Sequence, residues 1–335
     1  MHKLSAKHIA LLCILLVVCT LLVVCYFQSH YLNTGDTLSL SYSYNTTLFP
    51  SAQSSQQFYV LDNVLYFVEN RGDKAVIRYV KKNWIRTFAE MPANYKRFIV
   101  VDGKTVIVEI KNVIYSLDVS SGDLTKLWKG SCVGYHLKDV YFTDGSALYI
   151  RKITEDEPRK VTAFDEVLAS YADGMVYKNS MGIYRLMYEN PNEPQLITEG
   201  TILWPEVPKN AGLLDVAYLY TSEYALRIGS NTLDMYVYDT GEIQRIYETD
   251  AGNMVIMAVA ASENELYVSR QWVDMKFWLL ENQDINGTYK YDILKKAWTK
   301  ITNKTYSVIG RFDEQYLYGI DLFRILGGIK QINVD

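Results

Sequence analysis

Four aromatic side chains stand where the chain departs from its own regularity. Trp204 stands just before two prolines, Pro205 and Pro208, in Thr201-Ile-Leu-Trp-Pro-Glu-Val-Pro-Lys-Asn-Ala-Gly212, and Trp272, Phe277 and Trp278 lie in the stretch Gln271 to Asp284. Trp and other large aromatics anchor interfaces, because one ring buries much area at low entropic cost. The competing reading is a long hairpin whose rings pack on a neighbouring element.

Catalytic chemistry has thinner support. A serine nucleophile needs a base within hydrogen-bond reach, usually His. His136, in Gly134-Tyr-His-Leu-Lys-Asp139, is the only His beyond residue 56, and no Gly-x-Ser-x-Gly elbow occurs. A packed or channel-lining role suits it better. No Cys or His pair has zinc spacing, and neither a calcium loop nor a Gly-rich phosphate loop is present. No cofactor is expected. Paired acids could still meet across a channel for glycoside hydrolysis. Asp62, Asp102, Asp139, Asp173 and Asp313 are the candidates. They recur at equivalent positions, and Asp readily bonds its own backbone in turns, which points to turn capping. No catalytic residue is assigned.

The elements that must position these residues begin with an apolar run. Ile9 to Phe27 carries no charge and is long enough for a helix to cross a hydrocarbon core of about 30 Å. His2, Lys3, Lys7 and His8 precede it, and no acid occurs before Asp36. The positive-inside rule keeps residues 1–8 in the cytoplasm and sends the rest across. An uncleaved single-pass anchor over 9–27 is therefore expected, with the bulk of the chain extracytoplasmic at the cell membrane. Cleavage is the alternative, yet the run is long for a signal peptide and lacks a small-x-small site. Leu22-Val-Val-Cys25 resembles a lipobox, but Val24 stands where a small residue belongs. Cys13, Cys19 and Cys25 read as apolar members of the span. Cys132 alone remains beyond it, so no disulfide is available within the exported part.

Residues 28–56 are Ser, Gln, Asn and Thr rich and suit a stalk, although 38–44 alternates like a strand. Beyond residue 57 short alternating runs follow one another, separated by Asp, Asn and Gly. The 28 Tyr among 335 residues favour strands. The runs repeat in groups of four, starting near residues 57, 96, 134, 167, 215, 255 and 306, with a last group of three. A four-strand repeat of about 40 residues is the mark of a β-propeller blade. Asp102-Gly103, Asp144-Gly145 and Asp173-Gly174 supply hairpin turns. The expected fold is all-β, a propeller over 57–335 with seven four-stranded blades. Six remains the alternative, since the fifth group is irregular and the seventh short. Strand 38–44 would complete the last blade as its outer strand and hide two open edges.

Phe58-Tyr-Val-Leu-Asp-Asn-Val-Leu-Tyr66 with Ile77-Arg-Tyr79, and Ala172-Asp-Gly-Met-Val-Tyr177 with Gly182-Ile-Tyr-Arg-Leu186, resemble the repeats of bacterial membrane-anchored propellers of unknown function. Those are similar to the Tyr-Trp-Thr-Asp propellers of lipoprotein receptors. The resemblance covers about 57–335 and implies a fold and an exported location. It brings no catalytic residues. The tetrapeptide itself is absent here, and the receptor family has six blades.

Lys and Arg number 34 against 38 Asp and Glu, so no basic face for nucleic acid is expected. The reading that follows is a membrane-anchored, non-catalytic binding or scaffold module for a protein, peptide or envelope glycan. A glycan hydrolase or lyase with carboxylates at the channel mouth is one alternative. A ligand-sensing ectodomain with a separate signalling partner is the other. The sequons at Asn45, Asn286 and Asn303 matter only in a glycosylating secretory pathway.

Overall fold

A computed structural model describes residues 18–20, 38–39, 42–45, 58–61, 64–81, 84–153, 155, 157–171, 173–206, 216–249, 254–261, 264–272, 286–311, 316–321 and 329–333. Within them every long element is a strand. Two short strands come first, β1 (Leu38–Ser39) and β2 (Tyr42–Asn45). Sheet one holds β3 (Phe58–Leu61), β4 (Val64–Arg71), β5 (Lys74–Lys81) and β6 (Trp84–Pro92). Sheet two holds β7 (Tyr95–Val100), β8 (Thr105–Ile110), β9 (Val113–Asp118) and β10 (Leu124–Lys129). Sheet three runs through β11 (Ser131–His136), β12 (Asp139–Thr143), β13 (Ala147–Lys152) and β14 (Arg159–Ala163). Sheet four is β15 (Glu166–Tyr171), β16 (Gly174–Lys178), β17 (Gly182–Met187) and β18 (Gln195–Glu199). Sheet five is β19 (Ala217–Tyr220), β20 (Tyr224–Ile228), β21 (Thr232–Val237) and β22 (Ile243–Glu248). Sheet six is β23 (Met254–Ala261), β24 (Glu265–Trp272), β25 (Gly287–Asp292) and β26 (Ala297–Thr302), and sheet seven is β27 (Tyr306–Arg311), β28 (Tyr316–Asp321) and β29 (Ile329–Asn333).

From β3 to β29 the strands of each sheet form an antiparallel meander in chain order. The first strands lie against one another in sequence, β3 by β7, β7 by β11, β11 by β15, and β15 by β19. The series continues through β2 and β27 to β1, which meets β3. First strands packed edge to edge around a closed ring, with the remaining strands radiating outward, make a β-propeller. A β-bulge recurs between the first two strands of sheets two, three, four, six and seven, for example between Cys132 and Gly134 and between Val167 and Ala169. Such bulges raise the local twist.

The N-terminal strands close the ring differently from the sequence expectation. β1 pairs with β27 (Leu38 opposite Arg311), the first strand of sheet seven and not its outer edge. β2 pairs with β23 (Tyr42 opposite Ala261) and makes sheet six five-stranded. One segment thus serves two neighbouring sheets. Two short pieces cover two inner edges, whereas a single outer strand would cover one.

The core is partitioned between neighbouring sheets. Val68, Ile77, Phe98 and Leu117 join sheets one and two, and Ile107, Ile114, Val140 and Phe142 join two and three. Tyr141, Met175, Tyr177 and Leu186 join three and four; Leu226, Leu233, Val259 and Leu266 join five and six. Tyrosines do much of this filling: Tyr141 stacks on Tyr188 with ring centres 4.2 Å apart, and Tyr177 on Tyr184 at 5.5 Å.

The apolar run 9–27 lies outside the described residues apart from Val18, Cys19 and Thr20, which are helical. Among the described residues no helix is long and apolar enough to cross a membrane. Asp62, Phe277, Trp278 and Asp313 also lie outside them.

Candidate functional site

Unit five begins with a turn that the sequence makes in three steps. Gly200, at a φ of 66°, takes the chain out of β18, and its N–H donates to the Met181 carbonyl at 3.0 Å. Ile202 is buried among Val176, Ile183 and Tyr236. The Trp204 N–H then donates back to the Ile202 carbonyl at 3.1 Å, a three-residue turn that leaves Leu203 86% exposed.

Trp204 is held on the far side by a buried charge ladder. Arg227 on β20 stands opposite Asp234 on β21, and Asp234 opposite Arg245 on β22. Arg227 Nε donates to Asp234 Oδ2 at 3.0 Å, and Arg245 Nε to Oδ1 at 2.5 Å, with Asp234 fully buried. The bonds to Asp234 and Glu248 hold the Arg245 guanidinium above its ordinary pKa, against the lowering effect of burial. Arg227 also donates to the Pro205 carbonyl and sits 5.5 Å from the centre of the Trp204 ring. A cation over an aromatic face is attractive, more so when desolvated. Trp204 further meets Tyr218 at 6.0 Å and Tyr236 at 6.4 Å.

The result is an open cleft of about 600 Å³ between sheets four and five. Its walls include Trp204, Tyr218, Ile183 and Leu168, the last being the extra residue of the β15 bulge. Tyr218 is 49% exposed. Glu166, Lys178 and Thr201 stand at the rim and make no side-chain hydrogen bond or ion pair among the described residues. Burial, with Tyr218 and the Glu166 charge as lesser causes, raises the Tyr220 hydroxyl above its ordinary pKa.

Connectivity places Trp272 and Asn286, the two ends of the second aromatic departure, at the same end of the ring. Links from a fourth strand to the next first strand, and from a second strand to a third, all emerge at one end of an up-and-down meander. The Trp204 turn joins β18 to β19, and the 273–286 insertion joins β24 to β25. Trp272 closes β24, and its N–H donates to Asn286 Oδ1 at 2.7 Å, tying the base of the insertion. Between these two sites lies the β20–β21 turn. Its Ser230, Asn231 and Thr232 are buried, whereas Lys111, Asn112, Ser146 and Met181 at the corresponding turns are exposed. Asn231 Nδ2 donates to the Thr249 carbonyl at 2.8 Å and Ile256 N–H to the Ser230 carbonyl at 2.8 Å. Trp204 and Trp272 therefore share a face, on adjacent sheets, without meeting.

The remaining candidates have structural duties. His136 lies 6.0 Å from Tyr188, ring to ring, with its buried Nε2 unpartnered among the described residues. Asp102 Oδ1 accepts from the N–H groups of Lys104 and Thr105 at 2.8 and 2.9 Å, a turn cap. Asp173 is an exposed turn residue, and Asp139 opens β12. Among the described residues no group of three or more His, Cys, Asp or Glu could hold a metal ion. Asn286 and Thr288 are buried, with Thr288 Oγ1 donating to the Lys304 carbonyl, so that sequon is part of the core.

Sequence reasoning found Trp204 but missed Arg227, Glu166, Lys178 and Tyr218. The charge ladder had a visible sign: Arg227, Asp234 and Arg245 interrupt three successive apolar runs of one unit.

No family model and no curated protein matches the chain. Among solved structures it is similar to the extracellular domain of a hybrid two-component system of B. thetaiotaomicron, at 13% identity and a TM-score of 0.47, covering 87% of this chain. It spans 39% of that chain, about two fifths. It is also similar to Hsv2 of Kluyveromyces lactis (9% identity, TM-score 0.43, 79% and 88% covered) and to a chain of a mitotic checkpoint complex (11%, 0.45, 90% and 96%). The propeller assignment rests on the ring of first strands.

Proposed function

We propose that this chain is a non-catalytic binding module whose site is the Trp204 cleft, carried outside the cell on the apolar segment 9–27. The observation that carries the binding reading is the contrast at the cleft. Its aromatic wall is fixed from behind by Arg227 and Asp234, while Glu166, Lys178 and Thr201 at its rim make no side-chain hydrogen bond or ion pair among the described residues. Ligand sites are typically concave, lined by aromatic and apolar side chains with a few polar groups, and about 300–1,000 Å³ in volume, a description this cleft meets. The seven sheets read as seven blades. The positive residues before the apolar run and the absence of acids support the orientation.

The test presents the purified full chain, in a detergent without a sugar head group, to arrays of oligosaccharides and of peptides, beside W204A. Binding in either array that W204A loses, at an unchanged urea midpoint, supports the reading. No binding in either array overturns it. Orientation is checked separately, by whether protease added to intact cells cleaves the propeller.

A further inference from the structure

We infer that the cleft recognises an oligosaccharide, a neutral run of pyranose rings stacked on Trp204 and Tyr218; this rests on the binding reading above. Three features of the cleft point to that chemistry.

The first is the aromatic wall. Trp204 and Tyr218 lie 6.0 Å apart with their planes inclined at 37°. Both rings line the open cleft, and Tyr218 is half exposed. A pyranose offers an apolar C–H face of ring size to such a wall, and its hydroxyls project sideways to the rim. A peptide side chain inserted end-on calls for an enclosed pocket, and this cleft is open.

The second is the make-up of the rim. Glu166 only accepts, Lys178 only donates, and Thr201 does both. A sugar hydroxyl both donates and accepts, so neighbouring hydroxyls can satisfy a carboxylate and an ammonium together. Glu166 and Lys178 stand directly opposite each other on β15 and β16.

The third is the charge balance. One carboxylate and one ammonium cancel, leaving no net field to select an acidic or a basic peptide. Specificity then has to come from hydrogen-bond geometry, which is how a neutral polyhydroxylated ligand is distinguished.

The Trp204 wall does not have to be organised on binding. Arg227 and the Ile202 turn already hold the ring, so the ordering cost falls mainly on the ligand and on the rim side chains.

The experiment is isothermal titration of the full chain, in the same sugar-free detergent, with maltotetraose, cellotetraose, xylotetraose and the β-1,4-linked N-acetylglucosamine tetramer. Saturable binding of at least one is expected. W204A and Y218A should each weaken it about tenfold, the scale of one lost stacking contact. E166Q and K178M should each weaken it severalfold, and W84A on sheet one should leave it unchanged. Tyr218 is half exposed, so Y218A keeps the test open if W204A fails to fold. Binding undiminished in both W204A and Y218A places the sugar elsewhere and overturns the inference. If none of the four binds while arrayed peptides bind in a Trp204-dependent way, the saccharide inference falls and the binding site stands. If neither class binds, both fall.

Discussion

The Arg227 guanidinium sits 5.5 Å from the centre of the Trp204 ring while its Nε and Nη2 both donate to one oxygen of Asp234. The charge is therefore shared between a buried carboxylate and an aromatic face that lines the cleft. Removing the carboxylate strands two arginines, one of them buried. D234A is expected to cost about 3–5 kcal/mol, read as a fall in the urea midpoint. R227M removes the cation but keeps much of its volume. It should cost less than D234A, yet weaken ligand binding as W204A does. An R227M protein with full affinity would show that Trp204 holds its place without the ladder.

Sheet three leaves no room beside Gly134. A Cβ there would come within 1.8 Å of the Tyr188 hydroxyl and 2.5 Å of its Cζ. That hydroxyl is not free to swing away, because it lies 3.1 Å from Ser170 Oγ and its ring stacks on Tyr141. G134A is expected to destabilise by about 1–3 kcal/mol through overpacking. Y188F removes one of the two clashing atoms, so the double variant should lose less than the sum of the singles.

Cys132 is 2% exposed, and burial pushes its thiol up to about 12. The thiolate is the reactive form, so alkylation of the native chain at pH 8 should leave Cys132 unmodified. Peptide mapping after labelling in urea should then show it modified. Rapid labelling without denaturant would mean that the interface between sheets two and three opens readily.

The Asp144 carboxylate is held down to about 2, first by the Ser146 backbone N–H, then by the Ser146 hydroxyl, the Ala147 N–H and the Tyr149 hydroxyl. Its folded value lies below the ordinary 3.8, so its contribution is present above that value and is lost as pH falls toward about 2. The Asp144 side chain is largely exposed, which keeps the contribution modest. Urea midpoints of wild type and D144N should differ near pH 5 and converge as pH approaches 2. A constant gap across that range would assign the turn's stability to something other than the ionised carboxylate.

The four-strand period was legible because each strand alternates and each turn carries its own chemistry. Asp102 and Asp144 cap turns as their Asp-Gly dipeptides imply, and the unit starts near 96, 134, 167 and 255 fall on first strands. The position of strand 38–44 was not legible. Its alternation fits any open edge, and pairing register across nearly the whole chain leaves no local mark. Trp204 stood out by interrupting the period, but the rim did not. Glu166 and Lys178 look like ordinary strand-end charges, and only the cleft shows that they remain uncommitted.

The closure by β1 and β2 also sets an order in time. β1 and β2 are made before any sheet exists, yet their partners, β23 and β27, follow all the strands of sheets one to five. Until then, sheets one to five can form locally, each from a continuous stretch of chain. These two short strands must wait unpaired and then dock late, as a latch between the two ends of the ring. Closure of the ring thus waits for sheets six and seven. A product truncated before Tyr306 would present unlatched first strands, a recognisable flag for quality control.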